Sequence, residues 1–252
     1  VAGERTDETT AKGDHGVMTT ERGFERLLPG VYELALRLGA SPKVDPGSVR
    51  LKQTGRMKTK LDGTSWMPFT ANQSISTHLC EFDWRARAGP LGMVSVRDAL
   101  ADAEGRLDVT ALGFVPVARA RHTPALLRGE LMRYLAEIPW VPDAIFHNSH
   151  LRWRTDGPNA LVVSAGADET ACDVVLSLDS EGRIAGAFAS DRPRSATEPT
   201  LPTPWRGQFS DYRLHDGRWL PFAGEVGWEI DGRLVLYWQG RIDQWETEPA
   251  QA

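Results

Sequence analysis

Four residues, Glu130, Arg133, Tyr134 and Glu137, stand at a spacing that could do chemistry. Steps of i, i+3, i+4 and i+7 place all four on one side of a helix. A guanidinium there could hold a developing oxyanion while the phenol or a carboxylate moves a proton, without metal or nucleotide. Glu130, Arg133 and Tyr134 are therefore the catalytic candidates. The plainer role, a stabilising surface pair between Arg133 and either carboxylate, is preferred.

Nine tryptophans are many for 252 residues, and most fall on or beside predicted strands. Indoles lining a curved sheet make a cavity for an apolar or flat ligand, and each N–H could serve as a polar handle. The ligand-binding set expected on that basis is Trp66, Phe69, Trp84, Tyr134, Trp140 and Trp153, with Gln73 as polar anchor. Gln53 and Gln73 each occupy the apolar register of a strand. A buried amide must find partners, and a hydrogen bond to the backbone of a neighbouring helix is preferred to a ligand contact.

His147 and His150, with Asp143 close by, have a spacing that could hold a metal. Asn148 and Ser149 suggest a loop and no remote third ligand stands out, so a solvated pair is expected and no metal. The chain contains no G-x-S-x-G, no P-loop, no dinucleotide fingerprint and no C-x-x-C. No cofactor is expected. Cys80 and Cys172 lie in apolar alternating runs and read as free buried thiols.

The elements that must position these residues are mostly strands. Cys80, Phe82, Trp84, Ala86 and Ala88 interleave with Glu81, Asp83, Arg85 and Arg87, and the stretch from Val49 to Lys58 alternates in the same way. A period of two gives each strand one apolar and one watered face, as in antiparallel sheets. Strands are predicted over 48–59, 68–77, 80–88, 92–100 and 106–112, then 150–155, 159–166, 170–179, 183–190, 205–214, 218–230 and 233–245. Asp216-Gly217 and Asp231-Gly232 suit hairpin turns. Asp191–Pro204, with four prolines, reads as a connecting loop.

One helix is predicted from Pro29 to a stop at Gly39, continuing an apolar pattern that begins at Phe24. A second, over 123–138, is capped by Thr123 and carries the stripe Leu127, Leu131, Tyr134, Leu135 and Ile138. About ten to twelve strands are too many to stay flat. The expected fold is mainly β (α+β): one large curved antiparallel sheet or half-barrel closed by one or two helices, with the second helix against the concave side. Residues 24–247 form the domain, with a disordered tail at 1–23 and another at 248–252.

Five stretches carry a resemblance: Trp66-Met67-Pro68-Phe69 with Gln73; Phe82-Asp83-Trp84-Arg85-Ala86-Arg87; Glu130 to Glu137 with Trp140 and Pro142; Asp211-Tyr212-Arg213; and Gly224-Glu225-Val226. In this order they resemble a bacterial family of uncharacterised function over roughly residues 25–245. That family is similar, at fold level, to the periplasmic lipoprotein-carrier and sigma-regulator class. The resemblance implies a strongly curved antiparallel sheet plugged by helices, and it brings no catalytic residues.

With 41% hydrophobic residues and a net charge of −5 spread along the chain, no basic stripe invites nucleic acid. No apolar run approaches the length of a membrane span, so no stable membrane insertion and a cytoplasmic location are expected. Three functions follow in order of preference: a module binding an apolar small molecule or lipid, a cofactor-independent enzyme (cyclase, isomerase or hydrolase) using the same cavity, and a protein-interaction module.

Overall fold

A computed structural model describes residues 27–58, 60–112, 115–121, 123–195 and 200–249. The disordered tail expected over residues 1–23 lies outside these, as do Phe24, His122 and residues 250–252. Within them, alternation in sequence becomes alternation in burial. From Phe82 to Ala88 every second residue is buried, and Val49, Leu51 and Gln53 face the same side of the neighbouring segment.

The first half of the chain forms β1 (Ser48–Met57), β2 (Met67–Ser76), β3 (Phe82–Ala88), β4 (Val94–Ala101), β5 (Glu104–Ala111) and β6 (Val115–Arg121). The second forms β7 (Arg152–Thr155), β8 (Ala160–Ala165), β9 (Cys172–Leu178), β10 (Ile184–Pro193), β11 (Pro202–His215), β12 (Arg218–Ile230) and β13 (Arg233–Glu248). All thirteen pair antiparallel in one open sheet, in the order β6-β5-β4-β3-β2-β1-β13-β12-β11-β10-β9-β8-β7. The chain thus starts at the centre, meanders out to the β6 edge, crosses, and meanders back from the β7 edge. Pairing of β1 with β13 closes the circuit.

The crossing carries α2 (Pro124–Ala136), a single 3-10 turn (Ile138–Trp140) and α3 (Ala144–His147); α1 (Pro29–Arg37) precedes the sheet. α2 packs on β4 and β5 in one wing and on β8, β9 and β10 in the other. Strands so far apart in the order reach one helix only if the sheet bends around it, so α2 lies in the hollow. Thr123 caps it as expected, its Oγ1 accepting from the Leu126 N–H at 3.0 Å, which contributes about 1 kcal/mol. At Gly105 on β5 a Cβ would stand 2.8 Å from Leu126 Cγ, so the first turn of α2 sits directly on the strand.

Three expectations need correction. Among the described residues there are thirteen strands rather than ten to twelve, because β6 is an outer strand with Val115, Pro116 and Val117 in water and shows no apolar alternation. The connection read over Asp191–Pro204 is partly sheet: Arg192 pairs with Thr203 and Pro193 with Pro202 beyond a bulge. His147 ends α3 rather than lying in a loop, with its Nε2 near the carbonyls of Ser41 and Val44. The hairpin turns match: Asp216, Gly217, Asp231 and Gly232 all take positive φ, as a type I′ turn requires. Cys80 and Cys172 are free thiols.

Candidate functional site

Inward-facing residues of the central strands and the end of α2 enclose a cavity of about 350 Å³. Six aromatic side chains line it: Trp84, Trp140, Trp205, Phe209, Tyr237 and Trp238. Space for these rings comes from glycine. Gly55, Gly240 and Gly224 pair side by side across β1, β13 and β12. A Cβ at Gly55 would stand 2.8 Å from the Phe69 ring, one at Gly224 would stand 3.1 Å from the Trp140 ring, and one at Gly240 would run into Trp238. The rings therefore lie directly against the backbone of the sheet. Trp140 meets Phe209 edge-on at 5.4 Å, and Phe69 bridges Trp84 and Trp238, each at 5.7 Å.

One wall is polar and wired. Trp84 Nε1 donates to Gln53 Oε1 (2.8 Å), Gln53 Nε2 to Gln73 Oε1 (3.2 Å), and Gln73 Nε2 to Glu137 Oε2 (2.5 Å). An indole can only donate at the first end and the carboxylate accepts at the last, so both amides have only one orientation that satisfies the relay. Glu137 Oε1 accepts from Arg133 Nε at 2.8 Å, and a terminal N–H of Arg133 donates to Asp98 Oδ2 at 2.5 Å. The guanidinium of Arg133 also stacks on the Phe82 ring, 4.5 Å from its centroid. Burial pulls the pKa of Arg133 down, but the carboxylates of Glu137, Asp98 and Glu130 outweigh that and the net direction is up.

Facing this cluster from β10, Arg192 lies over the Trp205 ring at 4.5 Å and is 8% exposed. Its Nε has no hydrogen-bond partner among the described residues, nor does Asp98 Oδ1. Glu130, buried on α2 behind them, has an Oε2 likewise without a partner. Burial, then the negative charge of Asp98, push the Glu130 carboxyl up to about 8, against the opposing pull of Arg192 and Arg133.

A carboxyl held near 8 when folded and near 4.5 when unfolded favours the fold below about pH 4.5, and that contribution is lost as pH rises through about 8. Glu130→Gln fixes the neutral form. It should match the parent near pH 4.5 and be more stable above about pH 8, by an amount on the order of a few kcal/mol. Thermal melts across that range check this, and equal pH dependence in the two proteins would show that Glu130 is not the group held neutral.

The expected site residues separate into two groups. Gln73, Trp84 and Trp140 line the cavity and Phe69 backs it. Tyr134 does not reach it: its hydroxyl donates to Ser76 O and accepts from Asn148 Nδ2, both at 2.9 Å, and burial pushes its phenol pKa up. Trp66 stands outside, with Arg56 and Lys58 over its ring. Trp153 is on the short β7, away from the cavity.

Arg133 and Glu137 do pair, but as buried groups rather than a surface couple, and the amide relay ends on the Glu137 side chain rather than on helix backbone. Three of the cavity's indole N–H groups are not free handles: Trp84 serves Gln53, Trp140 serves Pro221 O and Trp205 serves the Tyr237 hydroxyl. Asp143 is spent on Arg218, and among the described residues no group of His, Cys, Asp or Glu is placed to hold a metal.

Asp98 and Arg192 escaped the sequence reading. Asp98 pairs with Trp84 and so shares its inward face, a carboxylate in the register of Val94, Val96 and Leu100. The signal was of the kind that picked out Gln53 and Gln73. Arg192 was hidden by the bulge before it and the proline after it.

A larger groove, about 1000 Å³, crosses the other face of the central strands. It is open to water and its polar side chains satisfy one another: Arg56 Nε donates to Gln239 and Gln239 Nε2 to Glu225, while Arg206 pairs with Glu229. The inner cavity, with unmet polar groups, is the better candidate.

Residues 37–246 match the model of a family described as "Family of unknown function (DUF6920)", and the chain belongs to that family. No curated protein matches it. Among solved structures, a LolA superfamily protein from Nitrosomonas europaea is similar at 9% identity and a TM-score of 0.47, with 86% of this chain and 93% of that chain covered.

Proposed function

We propose that the protein binds an apolar small molecule or lipid in the inner cavity. The observation that carries this reading is the cavity's composition: six aromatic rings together with a cluster of polar groups, two of them with unmet hydrogen-bonding atoms. Ligand sites have this form, with apolar walls for affinity and a few polar groups for orientation. Among the described residues no helix is long and apolar enough to cross a membrane. The cytoplasmic location expected from the sequence belongs to the same proposal.

A neutral apolar fluorophore such as N-phenyl-1-naphthylamine should bind saturably, one per chain, with quenching of tryptophan emission. Leu107 lines the cavity from β5, so Leu107→Trp should fill the space and weaken binding by about tenfold or more while the fold stays intact. Equal binding to the parent and to a folded Leu107→Trp variant would place the probe elsewhere and defeat the reading.

A second reading, a cofactor-independent enzyme, draws on one observation: Asp98, Arg133, Glu137 and Arg192 converge on the same cavity, with the proton-holding Glu130 behind them. Incubation with the apolar fraction of a cell extract separates the two. A retained, unchanged molecule favours binding, and a product absent from a heat-denatured control favours catalysis.

A further inference from the structure

The binding reading says nothing of the ligand's polar end, and the cavity wall does. Arg192 is buried and lines the cavity, with its Cζ 4.5 Å from the ring centroid of Trp205 and 5.7 Å from that of Trp228. A cation–π contact engages the charge of the guanidinium and leaves its N–H donors still in need of acceptors. The Nε donor of Arg192 has no partner among the described residues. Asp98, in the same lining, uses Oδ2 for Arg133 and keeps Oδ1 buried and unmet. A desolvated donor and a desolvated acceptor are each costly to leave without a partner.

We infer that the ligand carries an uncharged head group that both donates and accepts hydrogen bonds, an alcohol or a primary carboxamide on an apolar body, set between Arg192 and Asp98. This rests on the binding reading above and deepens it. The charges on the wall argue against the alternatives. A carboxylate would satisfy Arg192 Nε but would face Asp98 and Glu137, and it brings no proton for Asp98 Oδ1. An ammonium would satisfy Asp98 but has nothing to accept from Arg192, and it would stand beside two guanidinium groups. The charged residues of the lining are Lys58, Arg133 and Arg192 against Asp98, Glu137 and Glu225; their formal charges cancel, and a neutral head group leaves that balance intact.

The test uses four molecules with one chain: decanol, decanamide, decanoate and decylammonium, each titrated against the naphthylamine probe bound to the full chain at neutral pH. Decanol and decanamide should displace the probe about tenfold or more better than either ion, because a buried polar atom left unpaired is penalised at this scale. Asp98→Asn should then improve decanoate by about tenfold, since the opposing charge is gone while the shape is kept.

Decanoate or decylammonium equal to decanol on the parent protein would overturn the inference, as would a bound probe that none of the four displaces. Failure of the probe itself to bind would instead remove the binding reading on which this rests. The ranking on the parent protein decides the matter even where the Asp98 variant does not fold.

Discussion

Arg133→Met should cost about 3–5 kcal/mol of stability, the range for removing one partner of a buried ion pair. Arg133 holds two carboxylates at once, Asp98 and Glu137, and the three side chains are 16%, 17% and 11% exposed. Removing the guanidinium leaves two poorly hydrated negative charges near a third acid, Glu130, without the cation that binds them both. At about 2–4 °C per kcal/mol for a chain of this size, the midpoint should fall by roughly 10 °C. Adding Asp98→Asn to Arg133→Met should recover part of the loss, because one orphaned charge is removed with its partner. A melt within about 1 kcal/mol of the parent would return the cluster to the solvated pair that the helix spacing first suggested.

The second large effect lies at the other end of the crossing. Asp143 is fully buried and binds Arg218 through both oxygens, at 2.6 and 3.0 Å. Asp143 precedes α3 and Arg218 opens β12, so the pair ties the crossing to the sheet. Asp143→Asn keeps the shape but leaves Arg218 buried without a counter-charge, and the expected cost is about 3 kcal/mol or more. Chemical denaturation should show a lower midpoint with an unchanged slope. An unchanged midpoint would mean that the α3 segment contributes little to holding the crossing in place.

Much of the frame was legible because the physics is local. Alternation from Phe82 to Ala88 needs only a sheet with one wet face, and Thr123 ahead of Pro124 needs only a helix end with free N–H groups. Asp-Gly at 216–217 and 231–232 supplied the positive φ of both turns. Strand β6 was not legible, since an outer strand with Pro116 buries little and carries no alternation. The site was half legible for a similar reason. Gln73, Trp84 and Trp140 announce themselves as amide or aromatic residues at inward positions. The aligned glycines Gly55, Gly240 and Gly224 are unremarkable until pairing places them in one row. Tyr134 was assigned to the cavity from its helix face, but α2 is enclosed on nearly every side, so burial on it did not mean facing the cavity. Asp98 and Arg192 line one cavity because opposite wings of the sheet bend toward one helix, a long-range fact that spacing cannot express.

The most direct measurement is where an apolar ligand sits. Crystals of the protein grown with a bromine-tagged decanol should show the anomalous signal of bromine inside the hollow, among Trp84, Trp140, Trp205 and Trp238, with the hydroxyl toward Arg192 and Asp98. Bromine found only in the outer groove beside Arg56 and Gln239, with the inner rings collapsed together, would contradict the account.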